Sequence, residues 1–190
     1  MILCNRKESI NDTPGNDIAN FTHYFAGAMT DKLIEMGKKQ KYNMILEWGM
    51  REPSSPLKCM KDLKENGYNN TVFFVSANKD ISYEACNMRY EIMKDSNRII
   101  RKVPKDFHEL CIETLPDSID KIYIEGMNNK VIDYMAIVKR NNEVIWDLNS
   151  KEMPGEVFKD GLYNVSKGKN NLVVANDINK KEMVGLGFRK

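Results

Sequence analysis

The chain has 190 residues, about one domain's worth at the usual ~150 residues per domain. Apolar residues make up 42% and charged residues 29%, which is ordinary globular composition and excludes a disordered, collagen-like or low-complexity polymer. Lys and Arg number 29 against 27 for Asp and Glu, for a formal charge of +2. This balance argues against a dedicated duplex-binding protein, whose basic excess is usually large, so we expect no nucleic-acid partner.

The cysteines and the apolar runs indicate a reduced protein with no metal site. No C-x-x-C pair and no tight Cys/His cluster occurs among the four isolated cysteines, which argues against bound zinc. The longest apolar stretch, residues 72–75, is strand-sized, and too few apolar residues precede the first charges for a signal peptide. We therefore expect no membrane segment and a cytoplasmic location. The four cysteines are Cys4, Cys59, Cys86 and Cys111.

The first third of the chain predicts a polar lead-in, a helix and a strand. Residues 1–17 are turn-rich. From Asn20 a single stripe of apolar residues at helical spacing predicts a helix that stops at Gly37. Residues 42–46 form a short apolar run, typical of a buried strand, that ends at Glu47. The stripe consists of Phe21, Phe25, Met29, Leu33 and Met36.

The middle of the chain alternates between helix and strand signals. A second helix begins at Pro56 and stops at Gly67, and residues 71–76 form a second buried strand. Further helices begin at Ser82 and at Pro104, the latter interrupted by Pro116.

The last third predicts a pair of strands and a tail. Residues 134–138 and 144–146 flank a polar turn, and in the tail only residues 172–175 resemble a strand. Strands separated by helices predict an α/β fold with parallel pairing. We divide the chain into a lead-in (1–17), a domain (18–150) and a tail (151–190).

Two groups of residues could carry chemistry. Ligands of open α/β sheets lie beyond the carboxyl ends of strands, where Glu47 is predicted, although a solvated charge paired with Arg51 is the alternative interpretation. Arg89 lies on a predicted helix and Arg101 in the loop that follows. Two guanidiniums that converge would form a phosphate clamp, and a solvated basic loop is the alternative. The phosphate-loop motif G-x-x-x-x-G-K-[ST] is absent from the sequence.

Several segments, in order, resemble the zeta toxin family, the UDP-N-acetylglucosamine kinases of bacterial toxin–antitoxin modules. Residues 42–47 resemble the family's strand that ends in a substrate glutamate. Ser82-Tyr83 with Arg89-Tyr90-Glu91 resembles its S-Y-x5-R-Y-E signature, and Arg101 to His108 resembles its R-x-x-P-K-x-x-H signature. The resemblance covers residues 21–150 and implies a P-loop-kinase-like parallel sheet flanked by helices, with a small C-terminal strand pair.

The resemblance also implies roles for individual residues. Arg89 and Arg101 would clamp the phosphates of ATP, bound with Mg²⁺, and stabilise the transferred charge as catalytic residues. Glu47 would bind the amino sugar, and Asp31 would do the same in place of a family glutamate. The predicted substrate-binding set, which includes the neighbouring helix, is Asp31, Glu47, Arg51 and Cys59. An antitoxin protein is the implied partner.

The sequence departs from the family at three places. Trp48 and Gly49 replace a Gly-Thr pair, and Cys59 replaces a substrate-binding threonine. The resemblance also begins after the family's first strand, P-loop and catalytic aspartate, so we expect a chain that lacks this N-terminal ATP-binding segment.

Three interpretations stay open. The first is a kinase whose N-terminal ATP-binding part lies outside this chain. The second is a non-catalytic remnant that binds a nucleotide sugar or an antitoxin. The third is a diverged protein with an unrelated ligand, in which residues 172–175 fill a vacated strand position. Loss of the first strand would leave an exposed sheet edge through which copies could associate.

Overall fold

The computed structural model of the chain describes residues 15–95 and 102–163. These ranges form an α/β fold, as the sequence predicts, with five helices and one mixed sheet of three strands. The elements in chain order are α1 (Gly15–Gln40), α2 (Ser54–Glu65), β1 (Thr71–Ser76), α3 (Lys79–Asp95), α4 (Lys105–Asn128), β2 (Tyr134–Lys139), β3 (Val144–Asp147) and α5 (Pro154–Tyr163).

The sheet has the order β1-β2-β3 and combines both kinds of pairing. β1 and β2 are parallel, with Thr71 opposite Tyr134 and Ser76 opposite Lys139, and α3 and α4 form the connection between them. β3 returns antiparallel to β2, which confirms the predicted strand pair. The parallel pairing follows from the helical crossover, because parallel neighbours cannot be joined by a tight turn.

One face of the sheet carries the core. The alternate residues Val72 and Phe74 of β1 are buried, and so is Trp146 of β3. Helices α4 and α5 cover this face with apolar side chains that join the same cluster. The covering side chains are Ile119, Ile122, Phe158 and Leu162.

The opposite face is largely bare within the described residues. Phe73 and Val75 of β1 are 56% and 61% exposed, and Tyr134 and Val144 are also exposed. Both faces of β1 therefore carry apolar side chains, but described helices cover only one of them.

Helix α1 extends past the predicted stop at Gly37. Gly37 is buried against the side chain of Met44 in the following segment, which would have to move if this position carried a Cβ. The helix ends three residues later in a Schellman motif: Lys41 is left-handed (φ 55), and the amide of Tyr42 donates to the Gly37 carbonyl at 3.0 Å.

The apolar stripe of α1 does not form the buried face of the helix within the described residues. The described members of its apolar stripe are exposed, with Leu33 at 61% and Met36 at 62%, whereas Ile34 is buried. The helix therefore packs through the face that carries Ile34 and Gly37.

The predicted strand at residues 42–46 is also wrong. Residues 42–50 have no regular secondary structure, and Ile45 is 96% exposed. Even-numbered residues from 44 to 50 are nevertheless half-buried and odd-numbered ones exposed, the period-2 pattern of an extended chain. No described strand is bonded beside this segment, because a cleft of about 140 Å³ separates it from the amino end of β1.

The end of the described chain differs from expectation in two ways. Pro116 lies inside α4 and does not interrupt it; the ring is buried, so packing offsets the missing amide. Helix α5, for which the sequence analysis assigned no element, packs closely on α4. The amide of Gly155 donates to Asp120 Oδ1 at 2.7 Å, and a Cβ there would lie 2.5 Å from the Pro116 carbonyl oxygen.

Asn70 joins α2, β1 and β2 at the start of the parallel pair. Its buried side-chain amide donates to the carbonyls of Met60 and Val131, both at 2.7 Å. Its backbone amide donates to Asp133 Oδ2 at 2.8 Å, and the carboxylate of Asp133 also pairs with Lys64. The junction thus satisfies the buried polar groups that precede both strands.

We expect Asn70→Ala to lower the free energy of unfolding by about 2–4 kcal/mol, because two buried carbonyls lose their donors. Urea denaturation followed by circular dichroism measures the change. Asn69→Ala removes the same side chain from the exposed neighbouring position and should stay within about 0.5 kcal/mol of the original chain. Equal losses in the two variants would contradict the role of Asn70.

We also expect acid sensitivity at this junction. The hydrogen bond from Lys64 and then the bond from the Asn70 amide lower the pKa of Asp133 below its ordinary value of 3.8. A lowered pKa stabilises the fold above the ordinary value, and the stabilisation is lost as the pH falls through the folded-state pKa. Asp133→Asn should therefore be less stable at pH 7 and lose less stability than the original chain below about pH 4. Melting temperatures measured from pH 7 to pH 2 test this, and parallel curves would contradict it.

Candidate functional site

A groove of about 360 Å³ lies between α1 and the extended segment 42–50. We call it the α1 groove. Glu47 lines it opposite Thr30, while Leu33 and Leu46 supply apolar walls. Glu47 is exposed, so its carboxylate is available to accept hydrogen bonds from hydroxyl or amide donors of a ligand.

Asp31 on α1 and Cys59 on α2 are near enough to interact electrostatically, and the two helices are joined by the ion pair of Lys38 with Asp62. Burial is the main cause of a raised pKa for the Cys59 thiol, and the charges of Asp62 and Asp31 raise this pKa further, against the opposing charge of Lys38. The thiol is therefore protonated at neutral pH and available as a weak donor, not as a nucleophile.

Lys38 neutralises the acidic side of this junction. Its ammonium group lies 2.5 Å from both Asp62 Oδ2 and Glu35 Oε1. The hydrogen bond to Asp62, followed by that to Glu35, raises the pKa of Lys38, so the lysine stays charged. Asp31 is the acidic residue near Cys59 that has no described hydrogen bond or ion pair within residues 15–95 and 102–163.

Trp48 belongs to two cavities. Together with Met44 and Leu46 it lines the α1 groove, and the same three residues line the cleft between segment 42–50 and β1. The indole thus flanks the α1 groove as a wall shared with the neighbouring cleft.

Arg51 does not line the α1 groove. Its carbonyl accepts a hydrogen bond from Ser118 Oγ at 2.7 Å, and its guanidinium lies 5.8 Å from the centre of the Phe107 ring on α4. Its charge also opposes the rise that burial causes in the pKa of Cys111. The structure therefore places Arg51 against α4, apart from Glu47.

The two arginine-bearing motifs meet in space. Ser82 and Tyr83 begin the first motif on α3, and His108 ends the second on α4. The Nε2 atom of His108 lies 3.2 Å from Ser82 Oγ, and the rings of His108 and Tyr83 are 5.3 Å apart. These contacts join the two helices beside a pocket of about 340 Å³.

The far ends of the same motifs also touch. The ammonium group of Lys102 lies 5.6 Å from the centre of the Tyr90 ring on α3. Arg89, which precedes Tyr90, is exposed and has no described hydrogen bond or ion pair within the structural ranges. Arg101, which precedes Lys102, lies outside the described residues.

Sequence reasoning alone missed three features of this region. Thr30 lines the α1 groove, Lys38 balances the acidic junction, and His108 bonds to Ser82. Only the last had a usable signal, because Ser82 and His108 both belong to motifs. Among the described residues, no group of three His, Cys, Asp or Glu side chains could hold a metal ion, and no helix is long and apolar enough to cross a membrane.

Comparisons with known proteins agree with this fold. The chain is 27% identical over 139 residues to toxin PezT of Streptococcus pneumoniae serotype 4, covering 73% of this chain and 53% of that protein. It is 25% identical over 147 residues to toxin zeta of Streptococcus pyogenes, covering 77% and 49%. The chain thus spans about half the length of the curated relatives it matches.

A solved structure extends the likeness to three dimensions. It comes from work on the PezAT chromosomal toxin–antitoxin system of Streptococcus pneumoniae and superposes with a TM-score of 0.70 at 20% identity. The match covers 95% of this chain and 66% of that one, and it shows a shared fold. The family model described as zeta toxin matches residues 6–151. The chain therefore belongs to the zeta toxin family.

Proposed function

We propose that this chain binds UDP-N-acetylglucosamine and takes part in its phosphorylation by ATP. The observation that carries the proposal is the contact between the two arginine-bearing motifs, in which Ser82 on α3 meets His108 on α4. This contact and that of Lys102 with Tyr90 bring residues on either side of Arg89 next to residues that follow Arg101 in the sequence. The proposed reaction is that of a cytoplasmic small-molecule kinase.

The sugar nucleotide would occupy the α1 groove. A cavity of about 360 Å³ lies within the ~300–1,000 Å³ range typical of ligand sites. Glu47 would accept hydrogen bonds from the sugar, and the ring of Trp48 offers an apolar wall beside it. Asp31 and the protonated Cys59 thiol would bind further polar groups at the neighbouring junction.

The phosphates would be held by Arg89 and Arg101. A guanidinium presents a planar fork of donors that matches phosphate oxygens, and its charge is retained at every accessible pH. Such a clamp stabilises the charge that spreads over the transferred phosphoryl group. Mg²⁺ bound with ATP would neutralise part of the phosphate charge beside these two guanidiniums.

Binding of an antitoxin is a second candidate function. It is supported by the match, over 95% of this chain, to a structure from a toxin–antitoxin system. This function does not need phosphoryl transfer, so it remains compatible with a chain that binds the sugar nucleotide without turnover.

We expect Glu47→Gln to weaken binding of UDP-N-acetylglucosamine by about 10-fold or more, since a charge-assisted hydrogen bond contributes roughly 1.5–3 kcal/mol. Isothermal titration calorimetry measures the affinity. Glu65→Gln makes the same change at an exposed site at the end of α2 and should leave the affinity unchanged. Equal affinity of the Glu47→Gln variant and the original chain would contradict the placement of the sugar.

We expect Arg89→Ala to lower the rate of ATP-dependent phosphorylation by about 10²–10³-fold, the usual loss for one transition-state donor. The assay follows phosphorylated sugar nucleotide in the presence of ATP and Mg²⁺. Arg140→Ala removes an exposed guanidinium from the β2–β3 turn and serves as the matched control. Turnover that is unaffected by Arg89→Ala would contradict the clamp. Absence of turnover with Glu47-dependent binding would instead favour the non-catalytic role.

A further inference from the structure

The outer edge of β1 is unpaired within the described residues. The amide of Tyr134 donates to the Asn70 carbonyl at 3.3 Å, so the backbone carbonyl of Asn70 faces β2. Successive residues of a parallel strand bond to opposite sides. The backbone groups of Thr71, Phe73 and Val75 therefore point away from β2, and no described backbone hydrogen bond reaches them from segment 42–50.

This edge opens onto a cleft whose far wall is apolar. The cleft of about 140 Å³ runs beside the amino half of β1, and its far wall consists of alternate residues of the extended segment 42–50. Phe73 and Val75 add exposed apolar side chains next to the free edge. An edge of this kind accepts a further strand, because main-chain pairing and apolar burial both become available. The wall residues are Met44, Leu46, Trp48 and Met50.

We propose that residues 172–175 of this chain, Leu-Val-Val-Ala, add to the outer edge of β1 as a fourth strand. The segment is apolar, and its two valines favour extended structure. It is the stretch of the tail whose composition suits this edge. The proposal is independent of the proposed kinase function.

The position of α5 places this segment within reach. The described chain ends at Tyr163, and α5 lies directly against the carboxyl end of β1: a Cβ on Gly161 would be 2.2 Å from Ser76 Oγ. Residues 164–171 can span about 26 Å at ~3.3 Å per residue, whereas the six-residue β1 is about 20 Å long. The tail can therefore reach either end of the edge, for parallel or antiparallel pairing.

Amide hydrogen exchange of the full chain, measured by NMR, tests the proposal. Phe73 and Val75 should exchange at least 100-fold more slowly than in an unstructured peptide, although their amides face away from β2. Val72 and Phe74, which bond to β2, report in the same spectra that the domain is folded. Val173→Pro and Val174→Pro are compared, because neighbouring residues bond to opposite sides and one of the two prolines must remove an inward donor.

We expect at least one of these two variants to return Phe73 and Val75 to unprotected exchange while Val72 and Phe74 stay protected. Val184→Pro makes the same substitution later in the tail and should change nothing. Unprotected Phe73 and Val75 in the original chain would overturn the proposal. Protection that survives both substitutions would also overturn it, and would indicate a second copy if it rises with protein concentration, or another polypeptide if it does not.

Discussion

The buried amide of Asn70 is the contact on which the order of the sheet depends. It donates to the carbonyl of Met60 in the middle of α2 and to that of Val131 ahead of β2, so it joins β1 both to the preceding helix and to a strand 61 residues away. This junction sets the start of β1 opposite the start of β2, with Thr71 beside Tyr134. Because side chains alternate along a strand, that register decides which residues meet α4 and α5 and which form the bare face.

The same register determines where the motifs lie. β1 ends at Ser76 and leads into α3 within three residues, so the first arginine motif starts at the carboxyl end of the parallel pair. The bond between Ser82 and His108 then holds α4 against α3 at that end. Ligands of α/β sheets bind at this end because the connecting loops and helix starts converge there. These contacts bring the two arginine-bearing motifs together at that end.

The elements that could be predicted from sequence are those whose pattern and surroundings agree. The predictions of β1 and β2 are correct because helices cover their apolar residues and each strand has a bonded partner. Residues 42–46 have the same pattern but no bonded strand beside them within residues 15–95 and 102–163, and local sequence does not report whether a neighbour is present. Met44 packs on Gly37 of α1, and Arg51 lies against Phe107 of α4; both contacts arise only in the folded chain. The roles of Glu47, Asp31 and Cys59 in binding stay predictions; Glu47 lines the α1 groove, whereas Arg51 lies against α4.

The α1 groove and the cleft beside β1 are physically coupled. Met44, Leu46 and Trp48 line both, and Glu47 lies between two of them on a segment that has no strand ladder to hold it. Fixing the backbone of one residue costs about 1–2 kcal/mol, so a ligand that had to order this segment would bind more weakly by that cost. A strand seated at the β1 edge would pack against the wall residues and order the segment in advance. The added strand would then strengthen ligand binding in the α1 groove without touching the ligand. The residues that it would pack against are the neighbours of Glu47 in the sequence, so ordering them also orders Glu47.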